Sequence, residues 1–502
     1  MDPEIKLKHY PDRPETAQVD KLGNLILAVA EGTSKTWSAF PYADVLRQRL
    51  KRGKGKPAST TPLITDLPND AGTHVSLAAV KPDISPFELL TLARKLAEPH
   101  FTQQPASIAL CMPGLNPALA LRVAEAIIAA LLAGAYALPH FKSKKEECRR
   151  LNALIIFGLE DKPDFRRTFA EAAGNNLARH LTALPPNELT PTQYRERISV
   201  LAKDHGWRMR FLDIKALQRE NAGAFLAVCQ GSPMPDAGIV HLHYEPKTRS
   251  SKPAVALVGK GICFDTGGTN LKPSKNMYGM HEDMEGSAVA LGALLALSRL
   301  QADFPVDCWL ALAQNHIGPN AYKQNDVVTA SNGVTIEIMH TDAEGRMVLA
   351  DTLALASKEK PSLIIDYATL TGSCVAALGT RYSGAFTNRN ELIPVIMTAG
   401  QASGERMWPF PNDADYDADL DSTIADIKQC SLESGPDHIQ AARFLDRFVD
   451  KDTPWIHIDL ASGNHKGGLA HIPTDITAVG VRFTLNLLLD QQVLQKASVS
   501  RR

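Results

Sequence analysis

Ala254-Val-Ala-Leu-Val-Gly259 is an unbroken apolar run of strand length, and it opens into Lys260-Gly-Ile-Cys-Phe-Asp-Thr-Gly-Gly-Thr-Asn-Leu-Lys-Pro273, which is polar and rich in glycine. A run apolar at every position suits a strand covered on both faces, as in a parallel sheet. Residues 308–313, 362–367 and 455–460 read the same way, and stretches with helical spacing lie between them at 287–300, 343–357 and 439–448. Strands alternating with helices imply an α/β fold, a mostly parallel sheet with helices on both faces. Ligands of such sheets bind beyond the carboxyl ends of the strands. The chemistry is therefore expected just after Gly259, around 340–344, and near 368–371.

Working outward, residues 1–160 read as a smaller α/β domain, with strands at 24–30, 106–112 and 150–158 and helices at 86–98 and 116–133. Residues 161–190 form a linking helix closed by Pro185-Pro186. The larger domain, 191–502, opens with Thr190 as a cap and Pro191 in the first turn. A loop rich in Lys, Thr and Pro is expected at 51–68. Within 47–56 six of ten residues are basic, and a solvated loop is the plainer reading, since no interleaved aromatics offer bases a stacking surface.

At 502 residues the chain is long enough for two domains. Lys plus Arg number 54 and Asp plus Glu 55, a net charge of −1, which removes any general pull toward nucleic acid or anionic membranes. The apolar stretch 123–138 is interrupted by Glu125 and reads as a buried helix. The first ten residues hold no secretory signal, and the seven cysteines show no CxxC spacing, so reduced thiols in the cytoplasm are expected.

The loop after Gly259 carries Lys260, Asp265 and Lys272, and Asp283 follows eleven residues after Lys272. The second polar segment is His340-Thr-Asp-Ala-Glu-Gly-Arg-Met347, where Asp342 and Glu344, two apart, face one way if extended. Singly, each acid is more simply a salt-bridge partner of Lys260, Lys272 or Arg346. Gathered at one sheet edge, four carboxylates repel unless cations neutralise them. Two divalent ions, Mn²⁺, Zn²⁺ or Mg²⁺, suit such a set. Lys260 could join as a ligand only as the neutral amine.

Thr341-Asp-Ala-Glu-Gly-Arg346 resembles the NTDAEGRL signature of the leucine (cytosol) aminopeptidase family, and 259–273 resembles its GKGxxFDxGGxxxKP. Asp366-Tyr-Ala-Thr-Leu-Thr-Gly372, Trp455-Ile-His-Ile-Asp-Leu-Ala461 and the distance to Asp283 are also similar, and the likeness spans roughly 176–488. The resemblance implies a two-metal enzyme that removes N-terminal residues, leucine or another mostly apolar one, from short peptides. It implies one ion on Lys260, Asp265, Asp283 and Glu344, and a second on Asp265, Glu344 and Asp342 with its backbone carbonyl. It further implies Lys272 at the oxyanion, a bicarbonate ion held by Arg346, and a side-chain pocket that includes Met280, Thr369 and Ala461. A macro-like N-terminal domain and a homo-hexamer also follow from it.

The chain departs from the pattern at His340, at Met347 and at Ser462, Gly463 and Asn464. His340 stands in place of Asn and is read as replacing the amide's hydrogen bonds. Met347 replaces Leu. Asn464 puts a polar group at the pocket floor, which weakens the case for leucine. Other chemistries lack their motifs: Gly259-Lys-Gly has no third glycine at the spacing of a dinucleotide fingerprint, His281-Glu-Asp-Met-Glu285 lacks the second histidine of HExxH, and no GxSxG occurs.

Overall fold

The computed structural model describes residues 5–31, 38–52, 61–144, 151–248, 254–433 and 435–499. The chain divides into two compact units, 1–172 with 466–475 and 173–465 with 476–502. The division falls inside the helix Arg166–Thr182, and a ten-residue segment from near the C-terminus returns to the first unit. Neither feature has a local signature in the sequence.

The first unit holds a six-stranded sheet in the order Lys6–Tyr10, Ala153–Phe157, Ser107–Cys111, Asn24–Ala30, His74–Val80, Leu63–Asp66. All pairs are parallel except the last. Its helices start where the side chains allow: Ser85 and Glu88 form a reciprocal cap ahead of Pro86–Phe101, and Asn116 caps Pro117–Gly134. Pro117–Gly134 is long and apolar enough to cross a membrane, yet most of it belongs to this unit's core, beside Leu96, Ile108 and Ile156. The basic run departs from the loop expected: residues 47–52 lie on the helix Ala43–Arg52, where Leu46 and Leu50 are buried, and 53–56 lie outside the described residues. Likewise part of the expected 51–68 loop is the edge strand Leu63–Asp66.

The second unit is built on an eight-stranded sheet. Its centre is four parallel strands in the order Trp455–Asp459, Leu363–Ala368, Val255–Asp265, Val306–Asn315. Antiparallel neighbours flank them, Ser383–Thr387 on one side and Gly238–Tyr244 on the other, features that apolar runs alone do not reveal. Val255–Asp265 outlasts the run expected from sequence, because Lys260 to Ile262 keep pairing with Ala311 to Ala313 and, after a bulge at Cys263 and Phe264, Asp265 pairs with Asn315. Side chains alternate across this strand. At Gly259 the helix Glu285–Arg299 comes so close that a Cβ would lie 2.4 Å from Ser287 Cα, whereas Lys260 points to the opposite face, against Gly345 of the helix Glu344–Lys358. Helices thus cover both faces, as expected. Thr190 and Gln193 form a reciprocal cap on Pro191–His205, which Gly206 ends in a left-handed conformation.

Candidate metal centre and active site

At the carboxyl ends of the central strands lies a cleft of about 500 Å³, within the second unit. It brings together all five expected metal-binding residues, Lys260, Asp265, Asp283, Asp342 and Glu344, with Lys272 and Arg346. Oxygens of Asp265, Asp342 and Glu344 lie within 4.8 Å of one another. Lys260 Nζ is 2.7 Å from Asp283 Oδ1 and 3.0 Å from Glu344 Oε1, and it donates to the Thr369 carbonyl at 3.0 Å. Lys272 Nζ bridges Asp265 Oδ2 at 2.9 Å and Asp342 Oδ1 at 2.5 Å.

Local chemistry holds the two motifs together. Gly267 and Gly268 take positive φ of 86° and 66°, which turns the chain back after Asp265, and the Gly267 N–H donates to Asp265 Oδ1 at 2.8 Å. Thr341, fully buried, donates its hydroxyl to the Gly267 carbonyl at 2.6 Å, and its N–H donates to Asn270 Oδ1 at 2.9 Å. Asn315 ends its strand beside Asp265. Its Nδ2 donates to Asp265 Oδ1 at 2.8 Å and to the Thr341 carbonyl at 2.9 Å. Sequence reasoning missed Asn315: the apolar run stops at Ala313, and nothing local sets Asn315 apart from its polar neighbours Gln314 and His316.

Four carboxylates face two ammonium groups here, an excess of negative charge in a buried place. Burial, then the repulsion of Glu344 and Asp265, pushes Asp283 up to about 8 despite Lys260. Burial, then Asp265, pushes Asp342 up to about 6, and the same two causes raise Glu344. Although burial opposes its charge, Asp283, Glu344 and Asp265 keep Lys260 above the usual lysine range. Asp283 Oδ2 is buried with no hydrogen-bond partner. Such an orphan is costly, and this oxygen-rich donor set fits hard or borderline divalent ions.

Met280, Thr369, Ala461 and Asn464 line the same cleft. Thr369 also donates its hydroxyl to Asp283 Oδ1 at 2.7 Å. The wall is more polar than the sequence suggests: Asn464 Nδ2 donates to Glu282 Oε2 at 2.8 Å, and the buried Glu285 also lines the cleft. His340 does not bond the Asp342 carboxylate; its Nδ1 accepts the Asp342 backbone N–H at 3.2 Å, and burial followed by Lys272 lowers its pKa, which suits a neutral acceptor. Arg346 is buried, and its guanidinium pairs with Asp437 at 2.7 Å, a partner the sequence reading did not foresee.

The sequence profile of the cytosol aminopeptidase family, catalytic domain, matches residues 176–485. The chain belongs to the cytosol aminopeptidase family. A probable cytosol aminopeptidase of Synechococcus sp. (strain CC9311) is 36% identical over 486 residues, 93% of this chain and 95% of that protein. Another, of Rhodopseudomonas palustris (strain BisA53), is 38% identical over 421 residues, 82% of each. Among solved structures, a mutant of tomato leucine aminopeptidase superposes with a TM-score of 0.85 at 28% identity over 97% of both chains. The bottromycin maturation enzyme BotP in complex with Mn gives 0.80 at 29% identity, over 94% of this chain and 99% of that one. As a cytosol aminopeptidase the protein is a metal-dependent hydrolase that acts at peptide N-termini.

Proposed function

We propose that this cytosol aminopeptidase works with two divalent ions, Mn²⁺ or Zn²⁺ and failing these Mg²⁺, bound in the acidic cleft. Lys260, Asp265, Asp283 and Glu344 would hold one ion, and Asp265, Glu344 and Asp342 with its carbonyl would hold the other. Bound there, such ions activate a water and polarise the scissile carbonyl. The rest falls to the chain's own groups. Lys272, held by Asp265 and Asp342, turns its ammonium toward the oxyanion of the tetrahedral intermediate. Lys260 would be a ligand only as the neutral amine, its proton passing to solvent as the cations take over the acidic neighbours that hold it. The acidic cluster favours a free α-amino group, so cleavage is confined to the chain end. Met280, Thr369, Ala461 and Asn464 receive the departing residue's side chain.

Bicarbonate at Arg346 fits this structure poorly. A carboxylate of the chain, Asp437, already pairs with Nη2 of that guanidinium, and no step is routed through the ion. Short peptides as substrates, a homo-hexamer and a cytoplasmic location complete the proposal. It rests above all on Asp265, Asp342 and Glu344 offering oxygens within 4.8 Å of one another beside the Lys260–Asp283 pair.

The test is release of p-nitroaniline from a panel of aminoacyl-p-nitroanilides after incubation with Mn²⁺, Zn²⁺ or a chelator, beside an Asp342→Ala, Glu344→Ala double variant. Release that needs metal and that the double variant lacks is expected. Folded, metal-loaded protein that releases nothing from any substrate overturns the proposal.

A further inference from the structure

Arg346 sits in the first turn of Glu344–Lys358, two residues after Glu344, and is 3% exposed. A guanidinium so placed requires an anion. Its Nη2 donates to Asp437 Oδ1 at 2.7 Å, and its Nη1 donates to the carbonyl of Gln429 at 3.2 Å. Asp437 is the first residue of the helix Asp437–Asp446, where a carboxylate is also favoured by the helix dipole. Gln429 is fully buried, and its side chain accepts the N–H groups of Met339 and His340 and donates to the carbonyl of Ala343. Asp437, Arg346 and Gln429 therefore form one network that ends on the segment carrying Asp342 and Glu344.

We infer that Asp437 is the resident anion of the Arg346 subsite, a positioning residue that fixes the guanidinium beside Glu344 and closes the subsite to a free carboxylate-type ion such as bicarbonate. The inference rests on the aminopeptidase reading of the cleft. A second anion at the buried Arg346 would meet the Asp437 carboxylate as a like charge at short range, which is unfavourable. Because the Asp437 side chain is 41% exposed, it can be replaced with little disturbance of the core.

The test compares zinc-loaded wild type with Asp437→Ala, in buffer stripped of carbon dioxide and in buffer with added bicarbonate or formate. Turnover is read together with binding of ¹³C-labelled bicarbonate by NMR. Wild type is expected to turn over equally in both buffers and to bind no labelled ion. Asp437→Ala should lose roughly ten- to hundredfold in kcat/KM, bind the labelled ion, and regain much of the loss when bicarbonate or formate is added. In an Arg346→Met, Asp437→Ala double variant the rescue should vanish. Stimulation of wild type by bicarbonate, labelled ion bound as well by wild type as by the variant, an Asp437→Ala variant as fast as wild type, or a slow one that no carboxylate rescues would each overturn the inference. If Asp437→Ala does not fold, Asp437→Asn carries the same comparison. Wild type that cleaves no substrate counts against the aminopeptidase reading alone, and the labelled-ion measurement still decides the role of Asp437.

Discussion

Gly345 lies directly against the end of the Lys260 side chain: a Cβ at 345 would fall 2.7 Å from Lys260 Cε and 2.8 Å from Nζ. The strand and the helix that carry the site meet at this point, and only a hydrogen fits between them. Alanine is otherwise the better helix former, so Gly345→Ala isolates the steric effect. The lysine tip has to move, and with it the contacts to Asp283 and Glu344. The variant is expected to fold, with a melting temperature within about 2–4 °C of wild type, while kcat/KM for peptide substrates drops by roughly tenfold or more. Full activity in Gly345→Ala would show that the Lys260 contacts are dispensable.

In the proposed mechanism Lys272 supplies the charge that meets the oxyanion. Replacing it by methionine keeps the length and removes the ammonium. Loss of one such donor typically lowers kcat by about 10²–10³. Because the same side chain also screens Asp265 from Asp342, the apparent affinity for the second metal should change as well. Steady-state kinetics at saturating metal, with metal affinity by calorimetry, separate the two effects.

Asn464 and Glu282 are joined by a hydrogen bond on the cleft wall. An apolar substrate side chain that covers this pair leaves it imperfectly solvated, whereas a side chain carrying a donor can bond to it. Glu282→Leu with Asn464→Met is expected to raise the leucine-to-lysine ratio of kcat/KM by about tenfold. A ratio unchanged across the aminoacyl panel would mean the pair lies outside the path of the substrate side chain.

Far from the cleft, Asp307 lies 2.8 Å from His241 Nε2 and 2.8 Å from His243 Nδ1. Burial raises the Asp307 carboxyl, but the two imidazoles outweigh it and hold it at about 2. That contribution is present above the ordinary aspartate value of about 3.9 and is lost as pH falls through about 2. His243 moves the other way, raised mainly by its bond to Asp307 against the effect of burial. Its contribution is full below about 6.5 and fades as pH rises through its folded value. Asp307→Asn should therefore cost most near pH 5, about 1–2 kcal/mol after screening, and less at pH 9. Urea melts at several pH values, with the His243 titration followed by NMR, check both the sign and the window.

Much of this was readable in the chain because it is local. The four apolar runs mark the four central parallel strands, Thr190-Pro191 marks a helix start, and acids clustered at the ends of those runs mark the cleft. What stayed hidden is what depends on distance in sequence. Asn315 reaches Asp265 only because two strands end side by side, with a register shift after Ala313. Asp437 is 91 residues from Arg346, and nothing around either residue announces the other. Lys260 looks like part of a loop because glycines flank it, yet the sheet claims it. Residues 47–52 of the basic run are helical because Leu46 and Leu50 give them an apolar face that a count of charges passes over.

The segment 466–475 returns to the first unit, where Arg94 donates to the Gly467 carbonyl and Ala470 joins the core beside residues of the first 172. On the ribosome, domains ordinarily fold in the order they emerge. Here the first unit lacks one of its own pieces until almost the entire chain has been made. A fragment ending near residue 172 leaves that part of its core open to water, and a stalled or truncated product would present an unfinished surface of the kind chaperones and proteases recognise.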